Sequence, residues 1–88
     1  MDDLVQQMRE YAKINNVPII TDEGLHYLEK YIKEKSVKRI LEIGTAIGYS
    51  AIRMCMIRDD IVVTTIERDE KRYLEAVQNI KKAHLEDR

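Results

Sequence analysis

The stretch RILEIGTAIGYSAIRMC, residues 39–55, decides how this chain folds. Residues 37–43 (VKRILEI) are rich in branched apolar side chains, the composition of a strand buried toward its C-terminal end. Gly44 and Gly48 interrupt that run, and residues 50–57 have the length and apolar spacing of a helix. Arg58-Asp59-Asp60 closes the helix. Beyond it, residues 61–66 (IVVTTI) are the strongest β segment of the sequence. Glu67 ends this strand, and Asp69 is placed to cap a last helix carrying Leu74, Val77, Ile80 and Leu85. Two strands joined by a helical crossover predict a right-handed parallel βαβ unit, extended by the last helix to βαβα over 37–85.

Toward the N-terminus the pattern is helical. Asp2 and Asp3 read as caps of a first helix with Leu4, Val5, Met8, Tyr11 and Ala12 on one face. Asn15-Asn16 and Pro18 stop it. After the apolar link Val17-Pro18-Ile19-Ile20, Thr21 reads as the N-cap of a second helix. Asp22 and Glu23 in its first turn complement the helix dipole, and Leu25, Leu28 and Ile32 form its stripe, up to about Lys35. Helices within 1–35 thus precede the βαβα unit, and the 88 residues make a single α/β domain.

Composition narrows the function classes. The chain is 44% hydrophobic and 35% charged, with no Trp or Phe, so aliphatic residues, Met and Tyr build the core. Fifteen basic against sixteen acidic residues give a net charge of -1, which lacks the footprint of a dedicated nucleic-acid binder. The single Cys55 excludes an internal disulfide and fits a reducing compartment. MDDLVQQMRE has acids where a signal peptide needs bases, and no apolar run reaches membrane-spanning length. The expectation is a cytoplasmic protein with no membrane partner.

The chemistry gathers where the strands end. In open parallel sheets ligands bind beyond the carboxyl ends of the strands. That edge carries Glu42, the turn from Gly44 to Gly48, and Glu67. Gly44 permits an unusual backbone angle and close approach to a ligand, and Gly48 does the same at the helix start. Free N–H groups of that helix, with the Ser50 hydroxyl, suit an anionic group. Glu67 can accept two hydrogen bonds from a ribose diol. A dinucleotide fingerprint has this general spacing, but G-T-A-I-G places Ala46 where its second glycine belongs. The Ala46 methyl would meet a pyrophosphate, which disfavours NAD.

The segment E-I-G-T-A-I-G resembles instead the acid-x-G-x-G-x-G motif of class I S-adenosylmethionine-dependent methyltransferases. "LEIGTAIGYSAIRM" and "TTIERDEKRYLEAVQNI", preceded by "VPII", are similar to the O-methyltransferase family of catechol and caffeoyl-CoA methyltransferases. The likeness is greatest to the bacterial tRNA 5-hydroxyuridine methyltransferases and covers nearly the whole chain. The resemblance implies a Rossmann-like class I methyltransferase fold with S-adenosylmethionine as cofactor. It implies that Glu42, Gly44, Tyr49 and Ser50 face the methionine part, Glu42 meeting its ammonium. Ile20 would close over that end, Glu67 would hold the ribose, and Arg68 would lie near the adenosine.

The implied acceptor is 5-hydroxyuridine in tRNA, with a catechol-like small phenol as the alternative. In that family the sheet has seven strands, and the acids and asparagine of its metal site lie on later segments. The resemblance therefore implies an incomplete fold here: N-terminal helices plus the first βαβα unit. Mg2+ would act in the complete enzyme through residues not present here. No catalytic or metal residue is assigned, and the chain alone is expected to be inactive. The competing class is a truncated, non-catalytic binding or assembly module. With the fourth strand of the family sheet absent, residues 37–43 present an open edge, which predicts a homo-oligomer.

Other candidates read as structure. Cys55 sits mid-helix without a paired His and reads as packing. His26 and His84 lack ligand spacing. Lys33, Lys35, Lys38 and Arg39, interrupted by Glu34, read as a solvated rim.

Overall fold

In the computed structural model, which describes residues 2–88, two parallel strands form a sheet and four helices cover one of its faces. The order is α1 (Asp2–Ile14), α2 (Asp22–Lys35), β1 (Arg39–Ile43), α3 (Tyr49–Cys55), β2 (Val62–Ile66) and α4 (Glu70–Lys82). β1 and β2 pair with Arg39 opposite Val62, Glu42 opposite Thr65 and Ile43 opposite Ile66. The α/β order and the parallel pairing are those the sequence predicts.

The caps explain two helix starts. Thr21 Oγ1 accepts from the Gly24 N–H at 3.1 Å, and Asp69 Oδ1 accepts from the Arg72 N–H at 3.0 Å. Each satisfies a donor that the first helical turn leaves free. Asp2 and Asp3 lie inside the first turn of α1 rather than at its cap, where their charge still favours the helix dipole. The cap position itself lies outside the described residues. α3 stops two residues short of the expected Ile57. There the chain tightens, the Ile57 N–H bonding the Met54 carbonyl at 3.2 Å, and the Arg58 guanidinium donates to the Val37 carbonyl and to Asp60.

Two apolar clusters build the core, one joining the helices and the turn, the other joining helices to the sheet. In one, Val5, Met8 and Ala12 of α1 meet Leu25, Ile47, Tyr49, Ile52 and Ala83. In the other, Ile32, Met54 and Ile61 pack with Val37, Ile40 and Val63. Ile47 and Ile61 are 0% exposed, and each fully buried side chain of this size stabilises the fold by about 1.5–3 kcal/mol. α4 meets α3 through its small residues. A β-carbon on Gly48 would touch that of Ala76 at 3.5 Å, so the close approach belongs to Ala76, and Leu74, expected in the stripe, is 54% exposed. That 3.5 Å contact is ordinary, so at Gly48 it is the φ of 89° and not space that requires glycine. Buried Asn79 beside it donates through Nδ2 to the Ile47 carbonyl at 2.9 Å.

The burial expected at the end of β1 is one-sided. Ile40, Glu42, Val63 and Thr65 face the helices, whereas Arg39, Leu41, Ile43, Val62, Thr64 and Ile66 are all exposed. Ile43 is 75% and Leu41 65% exposed. Parallel sheets normally carry helices on both faces, and these residues supply them to only one. The edges differ as well. The Val63 N–H on β2 donates to the Arg88 carbonyl at 2.6 Å, and the Arg88 guanidinium reaches the Cys55, Arg58 and Ile61 carbonyls. β1 has β2 as its only strand neighbour among the described residues.

Candidate functional site

The glycine turn is held open by its backbone angles. Gly44, Ala46 and Gly48 have φ of 94°, 51° and 89°. For Ala46 the left-handed conformation costs roughly 1–2 kcal/mol, because its β-carbon crowds the following carbonyl. Hydrogen bonds offset that cost. The N–H groups of Gly44 and Thr45 both reach the Ile66 carbonyl, at 2.7 and 3.1 Å, so β2 carries the turn. The Ala46 N–H donates to Glu67 Oε1 at 2.7 Å, while Glu67 Oε2 accepts from the Asp69 N–H at 3.0 Å. Amides of Asp69 and Ala46 thus hold the Glu67 carboxyl below its ordinary range. A β-carbon on Gly44 would meet no protein atom within 4 Å, so only its φ requires glycine.

Above the turn lies a cleft of about 230 Å3. Pro18, Ile19, Ile20 and Leu28 form its apolar wall. Glu42, Gly44, Thr45, Ala46, Tyr49 and Ser50 form its other side. The covered face of the sheet thus changes character along its length. Ile40 and Val63 pack into the core, and one strand step further Glu42 and Thr65 turn polar beneath the cleft. This explains an acid inside an apolar strand: Glu42 points to the helix-covered side at the level where that side opens.

Glu42 is bonded through both oxygens. Thr65 Oγ1 donates to Oε1 at 2.8 Å, and Ser50 Oγ donates to Oε2. Thr65 Oγ1 in turn lies 2.6 Å from Thr45 Oγ1. Sequence reasoning missed both threonines. Their signal was weak, since only the β1–β2 register, with Glu42 opposite Thr65, brings them beneath the acid.

The expected residues divide into two groups. Ile20, Glu42, Gly44, Tyr49 and Ser50 meet at the cleft. Glu67 joins them through the Ala46 amide, while Arg68 is exposed and does not line the cleft. Tyr49 is only 2% exposed. Its ring is built into the core, with the guanidinium carbons of Arg9 and Arg53 each 6.0 Å from its centroid. Arg9 pairs with Asp22, and Arg53 approaches Glu29 to 3.9 Å, so α2 is tied on both sides of this tyrosine.

The Tyr49 hydroxyl is buried with no hydrogen-bond partner. α3 has seven residues, which makes its dipole a small contributor to anion binding. The carboxylates of Glu42 and Glu67 dominate this end of the sheet and suit ligands rich in donors. Cys55 is buried, and burial pushes its thiol up, leaving it protonated and unsuited to nucleophilic attack. Among the described residues, no group of three or more His, Cys, Asp or Glu could hold a metal ion, and no helix is long and apolar enough to cross a membrane.

Comparison with known proteins supplies the family and the fold. The family model described as O-methyltransferase matches residues 1–88. A caffeoyl-CoA O-methyltransferase of Populus kitakamiensis is 31% identical over 81 residues, 91% of this chain and 34% of that protein. Among solved structures, a candidate caffeoyl-CoA O-methyltransferase from Staphylococcus aureus superposes with a TM-score of 0.91 at 46% identity, covering 94% of this chain and 40% of the other. The O-methyltransferase of Bacillus cereus in complex with SAH gives a TM-score of 0.83 at 28% identity, over 100% of this chain and 41% of its own. The 88 residues thus span about a third of the curated relative and two fifths of these structures.

Proposed function

Because this chain belongs to the O-methyltransferase family, we propose that its cleft binds S-adenosylmethionine and supplies the cofactor half of a methyl transfer to a hydroxyl. The observation that carries this reading is the pair of carboxylates at the ends of β1 and β2, on either side of a left-handed glycine turn. The residues fit the cofactor's chemistry. Glu42 would face the ammonium of its methionine part and Ile20 would cover that end. Tyr49 and Ser50 would border it. Glu67 keeps lone pairs for the ribose hydroxyls while its two oxygens anchor the Ala46 and Asp69 amides, and Arg68 would lie near the adenosine.

Bound there, the cofactor supplies an electrophilic methyl on sulfur. The chain's own residues bind and orient it, and positioning of this kind supplies much of the rate in group transfer. An acceptor hydroxyl would attack in line, losing its proton to a base outside these residues. No metal site fits the described residues, so Mg2+ ligands would also have to come from outside the 88. We therefore assign this chain cofactor binding and expect no transfer from it alone.

For the acceptor we favour 5-hydroxyuridine in tRNA, on the resemblance of the motif around Gly44. The name of the Populus relative favours a small phenol as the second reading. We also propose that the chain self-associates through the open edge of β1 and its bare sheet face.

Glu67→Ala tests the cofactor reading by calorimetry with S-adenosylhomocysteine. A charge-assisted contact is worth about 1.5–3 kcal/mol, so affinity should fall at least about tenfold. Equal affinity in mutant and parent would remove Glu67 from the site.

A further inference from the structure

We propose that Thr65 is a positioning residue. It holds Glu42 in one orientation and completes a hydroxyl chain that leaves Glu42 and Ser50 able only to accept hydrogen bonds from a ligand. The ammonium that the cofactor reading already assigns to Glu42 would meet this floor. The proposal rests on the S-adenosylmethionine reading above and deepens it.

Proton counting carries the argument. An ionised carboxylate accepts and cannot donate, and each hydroxyl has a single proton. Glu42 Oε1 therefore takes the proton of Thr65, at 2.8 Å, and Oε2 takes that of Ser50. With its proton committed, Thr65 can only accept in its 2.6 Å contact with Thr45, so Thr45 is the donor. The direction is fixed along the whole chain, from Thr45 to Thr65 to Glu42, with Ser50 donating from the other side. Ser50 reads from the sequence as a donor for an anionic group. Its proton being spent on Glu42, it turns lone pairs to the cleft instead. The side chains of Glu42 and Ser50 then turn only acceptors to the cleft, which favours a cation with several N–H bonds beside them.

Thr65 is well placed to impose this. It lies opposite Glu42 in the β1–β2 register, so the strand pairing sets its position. Its branched β-carbon restricts its side-chain rotation. Thr45 behind it is 4% exposed, beyond easy competition from water. Hydrogen bonds in series strengthen one another in such surroundings, and a carboxylate already held in place loses little freedom when a ligand arrives.

The test compares two ligands, S-adenosylhomocysteine and its analogue lacking the α-amino group, by calorimetry on the full chain. The parent should prefer the amino ligand by about tenfold or more, the scale of one charge-assisted contact. Thr65→Val, which keeps the shape and removes the hydroxyl, should weaken the amino ligand by roughly five- to tenfold and leave the analogue within about twofold. Thr65→Ser should restore the parent values. A merely structural threonine would move both ligands together, and that outcome, or no change in either, overturns the proposal. A parent that binds neither ligand overturns the cofactor reading and this inference with it. A parent that binds both with equal affinity overturns the inference alone. If Thr65→Val does not fold, Thr65→Cys, a similar volume with a weak thiol donor, is judged by the same criterion.

Discussion

The two faces of the sheet are made of similar residues and have opposite fates. On the covered face, Ile40 and Val63 join the core while Glu42 and Thr65 are fastened to each other and to the glycine turn. On the other, Leu41, Ile43, Val62 and Ile66 are 65%, 75%, 45% and 54% exposed. Apolar composition alone does not decide burial. Layers decide it, and a strand has two sides that alternate with each residue. The proposed cofactor cleft lies on the covered side, where helix, turn and strand converge.

The largest expected effect lies in the covered face. Ile52, 1% exposed beneath it, should cost about 2–5 kcal/mol when changed to Ala, enough to leave so small a domain mostly unfolded in urea titration. Leu41→Thr on the bare face should change stability by no more than about 0.5 kcal/mol. Similar costs at both positions would break the comparison.

A second, intermediate effect concerns association. An exposed apolar face beside an unpaired strand edge invites another chain. Light scattering at tens of micromolar should show dimers or larger species, and the double change Leu41→Lys and Ile43→Lys should shift them toward monomer. A monomeric parent would show that the bare face is inert.

The smallest effect is electrostatic and sits at the polar end. The Glu67 carboxyl is held below its ordinary range in the folded chain by the Asp69 and Ala46 amides. Its stabilising contribution is therefore present above the ordinary glutamate range and lost as pH falls through that range to the lowered folded value. Thermal melts of the parent should lose more stability on acidification than those of Glu67→Gln. Parallel curves would mean that these amide bonds contribute nothing measurable.

How legible this was in the sequence depended on how local each feature is. The caps at Thr21 and Asp69 are decided by near neighbours, and the structure has them where the sequence does, while α3 stops two residues short of the end read before Arg58. Glu42, Gly44 and Ser50 could be singled out because a strand–glycine–helix run carries its own geometry. Thr45 and Thr65 could not, since their contact spans twenty residues and depends on register. The exposure of Ile43 and Leu74 was equally hidden. The first depends on which layers cover the sheet. The second depends on which face of α4 meets the rest of the fold, and that face carries Ala76 and Asn79 instead.

The most direct test of the account is to add S-adenosylhomocysteine to the isotope-labelled chain and follow every backbone amide by nuclear magnetic resonance. The account predicts concentration-dependent shifts at Gly44 to Ser50, at Glu67 to Asp69 and at Ile19 and Ile20, with the Leu41 and Val62 amides nearly still. Shifts confined to the bare face, or none at all in a folded chain, would contradict it.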